Sequence, residues 1–194
     1  MSECVYQALS YIHQGVPVVE RSTKNSLNKT LTTIQFLHKQ YGHKYDFFLK
    51  ADDDTYIVMD NLRDFLRDLD PQKKIIAGRR FKNLLKKGYV KNNASYVLSR
   101  ASLHAIAEQM ENDKEKPCYR DSKEEDLGLA YCAEQVGVDI VDTLDKDGLE
   151  RFHPLNADGM WDLDPNQPTS IHTDNYYPLQ YVGVHYTTTG SFSL

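Results

Sequence analysis

Hydrophobic residues recur at two different periods along the chain, and the two periods alternate. From residue 26 to residue 41 they lie three or four positions apart, which predicts an amphipathic helix ending before Gly42. Short apolar runs at 45–49, 75–78, 96–98 and 138–141 predict buried strands instead. Further helical patterns follow at 60–69, after Ser99 and at 122–136. Strands that alternate with helices predict an α/β fold with a largely parallel sheet.

Polar residues at the starts of the predicted helices are expected to act as caps. Asp60 is expected to cap the second helix, and Ser99 the third. Ser122 and Glu125 have the spacing of a capping box, in which the glutamate reaches back to the helix start. Gly137 marks the end of the fourth helix. After about residue 143 the sequence is rich in Asp, Pro, Asn and Tyr and predicts no clear elements.

Composition narrows the class of protein. The length of 194 residues fits one domain with room for a core. A net charge of -5 argues against a nucleic-acid partner. The mean hydropathy is -0.60, and no apolar run approaches the ~20 residues of a membrane span. The segment 1–4, MSEC, has no features of a signal peptide, so a targeting segment of a secretory protein would lie outside this sequence.

Cysteines and sequons give weaker indications. The cysteines at 4, 118 and 132 are too few for a disulfide scaffold and match no common zinc spacing. Cys118 and Cys132 can still form one bridge. Sequons begin at Asn28 and Asn93, which are candidate glycosylation sites and favour a secretory protein.

An acidic run follows the first predicted strand. Asp52 and Asp54 flank Asp53, and alternate residues of an extended segment point the same way. Two carboxylates on one face suit a hard divalent cation, and ligands of α/β folds bind beyond the carboxyl ends of strands. A solvated acidic turn is one alternative. A structural calcium site in an extracellular binding module is another.

The run at 46–56, DFFLKADDDTY, resembles the metal-site segment of the core 1 β1,3-galactosyltransferases, in glycosyltransferase family 31. Further segments agree with the family in the same order. They are DNLR at 60–63, GRRFK at 78–82, GY at 88–89, YVLS at 96–99, EDL at 125–127, FHP at 152–154 and NYYP at 175–178. The resemblance covers roughly residues 41–186.

The resemblance implies a GT-A fold, N-terminally incomplete, in a single catalytic domain over residues 1–194. Residues 1–45 match the family loosely, and residues 143–194 form an irregular C-terminal part. The implied reaction transfers galactose, with inversion, from UDP-galactose to the 3-hydroxyl of GalNAc on Ser or Thr of glycoproteins, with Mn²⁺ as cofactor. Such enzymes are type II membrane proteins of the Golgi, so this chain would be a lumenal domain whose anchor is absent from it. A non-catalytic homologue that binds or chaperones family members is the alternative, and a homodimer stays open.

The resemblance also implies roles for individual residues. Asp126 corresponds to the catalytic base, and His185 corresponds to the histidine that completes the metal shell with Asp52 and Asp54. The two later cysteines match family cysteines, so a disulfide between them is expected. The residues expected to contact donor or acceptor are Asp53, Arg79, Arg80, Lys82, Tyr89, Glu125, Trp161 and Tyr177.

Two departures from the family bear on activity. The first strands, which help to hold the nucleotide, are missing from the match. The family's Gly-Gly-Ala-Gly before YVLS is replaced by NNAS at 92–95, which adds side chains where the family brings backbone close to the sugar. Because crowding of ~1 Å at a reacting centre costs about a hundredfold in rate, we expect the chain alone to be a weak or inactive transferase.

Overall fold

The computed structural model describes residues 26–52, 54–81, 85–112, 118, 124–154 and 189–191. The helices in this part of the chain are α1 (Ser26–Tyr41), α2 (Met59–Arg67), α3 (Arg100–Asn112) and α4 (Glu125–Gln135). The strands are β1 (Phe47–Lys50), β2 (Thr55–Ile57), β3 (Ile75–Gly78), β4 (Arg80–Phe81), β5 (Tyr89–Val90), β6 (Tyr96–Ser99), β7 (Asp139–Ile140) and β8 (Thr189–Ser191). A short 3₁₀ turn, Asn92–Ala94, leads from β5 into β6. None of the described helices is long and apolar enough to cross a membrane.

The main sheet has the strand order β1-β6-β3-β7. Strand β6 is antiparallel to both β1 and β3, whereas β3 and β7 are parallel. The expectation of a mainly parallel sheet is therefore wrong for the pairings in the described residues. A helix follows β1 and another precedes β7, as in parallel crossovers, but β3 leads to β6 through the short strands β4 and β5. Without a helical crossover the chain returns in the opposite direction and inserts β6 between β1 and β3.

Two smaller pairs of strands flank the main sheet. Strand β4 pairs with β5, and β2 pairs with β8, both antiparallel. Gly88 precedes β5 with φ +75°, and a Cβ there would lie 2.3 Å from the carbonyl oxygen of Phe81. Only glycine fits this close approach, so the glycine of the GY pair at 88–89 allows the chain to turn into β5.

Hydrophobic residues cover both faces of the main sheet. In β6, Tyr96 and Leu98 belong to the core under α1, α3 and α4, whereas Val97 belongs to the core under α2. Because successive side chains of a strand point to opposite faces, one strand can serve both cores. The structure is thus a layered α/β arrangement with helices on both sides of a mixed sheet.

Some of the predicted helix starts and caps are confirmed, and one cap is wrong. Helix α1 coincides with the predicted helix. Ser99 caps α3 as predicted, since the Ser102 N–H donates to its Oγ at 3.1 Å. The cap predicted at Asp60 is wrong, because α2 begins at Met59 with Val58 at its N-cap. Asp60 lies in the first turn instead, where the helix dipole stabilises its negative charge and its carboxylate accepts a hydrogen bond from Arg63.

Candidate active site

The candidate site lies at one edge of the main sheet. Strands β1 and β3 end there, and the reversed strand β6 begins there, because Lys50 and Gly78 both lie opposite Tyr96 in the register. The acidic run therefore follows β1 at the same edge at which the 3₁₀ turn enters β6. The first turn of α4 brings Glu125 and Asp126 to this edge.

Tyr96 is a buried phenol influenced by acidic groups from two elements. Its side chain is buried, and burial raises the pKa of Tyr96 well above its usual value. The carboxylates of Glu125, Asp126 and Asp52 raise this pKa further, in that order of effect. Carboxylates from the end of β1 and the start of α4 thus lie within electrostatic reach of a single phenol.

Asp52 is held in an ordered turn at the end of β1. Its backbone N–H donates to Thr55 Oγ1 at 3.2 Å, and the Thr55 N–H donates to its backbone oxygen at 3.1 Å. The side chain is 44% exposed, and Lys50 Nζ lies 2.5 Å from its Oδ1. Lys50 therefore directs and neutralises a carboxylate that stays open to solvent.

The metal site expected from the sequence is described only in part. Asp52 and Asp54 are both exposed, and carboxylate oxygens in an accessible turn suit Mn²⁺ in their chemistry. Asp53 and His185 lie outside the described residues. Within the described ranges, no group of three or more His, Cys, Asp or Glu side chains is placed to hold a metal ion. A metal shell that includes His185 stays a prediction.

Glu125 is buried and is bonded at both carboxylate oxygens. Thr30 Oγ1 donates to Oε1 at 2.5 Å, and Asn92 Nδ2 donates to Oε2 at 3.3 Å. The capping box is wrong, because α4 begins at Glu125 itself, with Glu124 at its N-cap and no side-chain cap. Ser122 lies outside the described residues. The Glu125 carboxylate instead joins α1 to the turn before β6.

Asp126 is also buried, and its partners differ from those of its neighbour. Burial raises the pKa of Asp126, and the Lys91 ammonium, 3.4 Å from Oδ2, opposes that rise. Backbone N–H groups of Asp126 itself and of Asn92 also donate to this carboxylate. A buried carboxylate with a raised pKa is a stronger base than an exposed one.

The two neighbouring carboxylates face different cavities. A cleft of about 670 Å³ between α1 and β1 is lined by Lys50, Asp52, Tyr96 and Glu125, among others. Asp126 lines a smaller pocket between β5 and α4. Among the described residues, Glu125 therefore shares the cleft of Asp52, whereas Asp126, the expected base, lines the neighbouring pocket.

Arg79 occupies a position that the sequence did not indicate. Its side chain is 2% exposed and pairs at 3.1 Å with Glu150, whose side chain is fully buried. Glu150 also accepts from Thr143 Oγ1 at 2.6 Å. The expected contact of Arg79 with donor or acceptor does not fit this arrangement, because its guanidinium is in the interior.

The remaining predicted residues are distributed as follows. Tyr89 is buried against Phe81, with ring centroids 5.8 Å apart, and Arg80 donates through Nε to the Lys87 carbonyl. Asn28 is exposed on α1. Lys82, Trp161, Tyr177 and the Asn93 side chain lie outside what the structure describes. Cys118 and Cys132 form the expected disulfide, with Cα atoms 4.6 Å apart.

Three residues of this site were missed by sequence reasoning. Thr30 and Lys91 had no local signal, since they meet their carboxylate partners 95 and 35 positions further along the chain. Lys50 had a signal that could have been used. It lies two positions before Asp52 in an extended segment, so the two side chains share a face.

The chain is similar to a known family of enzymes over the segment that includes the acidic run. Residues 19–95 match the family model described as Galactosyltransferase, and the resemblance expected from the sequence is confirmed. The match includes β1, the acidic run and the turn before β6. It also begins within residues 1–45, which were expected to match only loosely.

Individual relatives extend this comparison. The chain is 37% identical over 127 residues, 66% of its length, to the glycoprotein-N-acetylgalactosamine 3-beta-galactosyltransferase 1 of Xenopus laevis. It spans 34% of the length of that protein. Chondroitin sulfate synthase 3 of Homo sapiens and that of Mus musculus are each 41% identical over 51 residues, 26% of this chain and 6% of theirs.

Proposed function

We propose that this chain is the catalytic domain of an inverting transferase that moves galactose from UDP-galactose to the 3-hydroxyl of GalNAc on Ser or Thr. The family match supports galactosyl transfer, and the name of the Xenopus relative supports a GalNAc acceptor and a β1,3 linkage. The mixed α/β layers are compatible with a GT-A fold. We further propose that the domain works in the Golgi lumen.

The observation that carries this proposal is the cleft that Asp52, Tyr96 and Glu125 line together, next to Asp126 at the start of α4. Two acidic groups with different surroundings suit two different tasks in glycosyl transfer. The exposed Asp52 is available to a cation, whereas the buried Asp126, whose pKa is raised by burial, suits a base.

Asp126 is proposed as the base that takes the proton of the acceptor hydroxyl. Its raised pKa strengthens it as a base, and it lines a pocket between β5 and α4. Both oxygens of Glu125 already accept hydrogen bonds from Thr30 and Asn92. These two contacts tie Glu125 to α1 and to the turn before β6, which suits a positioning role.

Asp52, Asp54 and His185 are the residues proposed to hold Mn²⁺, which when bound supplies positive charge that offsets the charge of the UDP leaving group. Lys50 keeps the Asp52 carboxylate oriented at the cleft. The cleft between α1 and β1 is the proposed entrance for the donor.

The experiment measures single-turnover transfer from UDP-galactose to a GalNAc-threonine peptide with Mn²⁺, together with binding of UDP and Mn²⁺. Asp126→Asn is expected to lower the transfer rate at least about a hundredfold, because general base catalysis contributes that much. Binding of UDP should stay within a few-fold. Asp139→Asn, which changes an exposed carboxylate, is the matched control.

The relative losses of rate in the two variants show whether Asp126 or Glu125 is the base. If Glu125→Gln loses more rate than Asp126→Asn with donor binding intact, Glu125 is the base, in agreement with its place in the cleft of Asp52. Since the altered 92–95 loop is expected to weaken transfer by the chain alone, the outcome that would reject the proposed function is that the parent chain does not bind UDP with Mn²⁺.

A further inference from the structure

The segment before β6 contacts both carboxylates at the start of α4. Lys91 Nζ lies 3.4 Å from Asp126 Oδ2, and the Asn92 backbone N–H donates to the same carboxylate. Asn92 Nδ2 donates to Glu125 Oε2 at 3.3 Å. This segment adjoins the stretch at which the sequence departs from the family's glycines, so its contacts are properties of this particular chain.

Two aromatic rings hold the Lys91 ammonium in place. Nζ lies 5.8 Å from the ring centroid of Phe81 and 5.8 Å from that of Tyr89. The side chain is 32% exposed, so the ammonium is partly withdrawn from water. Burial alone would lower the pKa of Lys91, but the Asp126 carboxylate leads the groups that raise it overall. The cation is therefore directed at Asp126 by its surroundings.

We propose that Lys91 is a positioning residue for Asp126, whose ammonium holds the buried carboxylate in its ionised form and in one orientation beside the pocket between β5 and α4. The catalytic meaning of this pairing rests on the proposed function, whereas the pairing itself does not. A base must be ionised before it can take a proton, and burial of Asp126 works against ionisation.

Other charged or titratable groups lie around the Lys91–Asp126 pair. They are Glu124 and Glu125 at the start of α4, Tyr89 on β5, Tyr96 on β6, and Lys87 and Glu134 in the wall of the same pocket. Most of them are acidic or phenolic. Lys87 pairs at 2.6 Å with Asp139. Among the ion pairs of the described residues, Lys91 is the cation on Asp126.

The test follows the Asp126 carboxyl carbon by ¹³C NMR through a pH titration of the full chain, with Asp126→Asn identifying the signal. Lys91→Met is expected to raise the proton affinity of the carboxylate about tenfold, the lower end for loss of an opposite charge within ~4–6 Å. Lys91→Arg should restore the parent value. Lys87→Met is the matched control, because it removes one positive charge from the same pocket but not the partner of Asp126.

The result that would overturn the proposal is the same Asp126 proton affinity in Lys91→Met and Lys87→Met. Lys91→Gln gives the same reading if Lys91→Met does not fold. The titration needs no turnover, so it stands even if the chain transfers no galactose. Where transfer is measurable, the acidic limb of the kcat/KM profile should move to about tenfold lower proton concentration in Lys91→Met and not in Lys91→Arg.

Discussion

Ser95 is the residue whose replacement the structure predicts most sharply. It has φ +60° and ψ +164°, a region of backbone space that is essentially restricted to glycine. Its side chain is fully buried, and its Oγ has no hydrogen-bond partner among the described residues. Ser95→Gly removes both the strained Cβ and the unsatisfied hydroxyl, so we expect it to stabilise the protein.

The magnitude follows from three contributions. Strain at such a position costs about 1–3 kcal/mol, and an unsatisfied buried hydroxyl costs about 1–3 kcal/mol. The greater freedom of glycine in the unfolded chain offsets about 0.5–1 kcal/mol. These terms sum to a net gain of about 1–5 kcal/mol in the free energy of unfolding.

Urea denaturation of the parent, Ser95→Gly and Ser95→Ala measures the effect and divides it. Ser95→Ala removes the hydroxyl but keeps the Cβ, so it should gain less than Ser95→Gly. A loss of stability in Ser95→Gly would refute the reasoning, and equal gains in both variants would remove backbone strain as the cause. Since the resemblance implies glycine at this position, a gain would also indicate that the change to serine costs stability.

Two further predictions concern the buried pair of Arg79 and Glu150. Glu150→Leu leaves the Arg79 charge uncompensated in the interior and should lower the free energy of unfolding by about 3–5 kcal/mol. Asp139→Leu, which breaks an exposed pair with Lys87, should change this free energy by less than ~1 kcal/mol. Similar losses for the two variants in urea denaturation would contradict this. Burial, reinforced by Arg79, lowers the pKa of His153 from 6.5 to about 4. As the pH falls, His153 therefore takes up a proton in the unfolded chain before it does so in the folded protein. Its neutral form contributes fully to stability above about pH 6.5, and the free energy of unfolding falls by about 3 kcal/mol toward pH 4. A fall of the same size in His153→Asn would show that His153 is not its cause.

The sequence pattern correctly predicted the elements that depend on residues close together in the chain. The 3.6-residue period of α1 needs only its own sequence, and Ser99 caps α3 through a residue three positions away. The order of strands depends on distant pairing instead. The absence of a predicted helix between residues 78 and 96 was a readable sign of an antiparallel return. No local signal shows that β6 inserts between β1 and β3, because that position depends on pairing with both strands.

The candidate site divides in the same way. The place of Asp52 after a strand was readable, because an apolar run and an acidic run adjoin in the sequence. The surroundings of Glu125 were not readable, since Thr30 reaches it from a helix 95 positions earlier. The interior position of Arg79 was likewise hidden, because its partner Glu150 lies 71 positions away. Pattern reasoning assigns a basic side chain to a surface unless such a partner is known.

The reversed strand in the middle of the sheet affects how the chain is made. Strand β1 ends at Lys50 and β3 at Gly78, yet the strand that joins them begins only at Tyr96. A ribosome adding ~5–20 residues per second therefore leaves β1 without this neighbour for some seconds. During that time two apolar strands have open edges, which are templates for pairing with other chains. A nascent chain interrupted before Ser99 would accordingly present two unpaired strands and not a smaller folded unit.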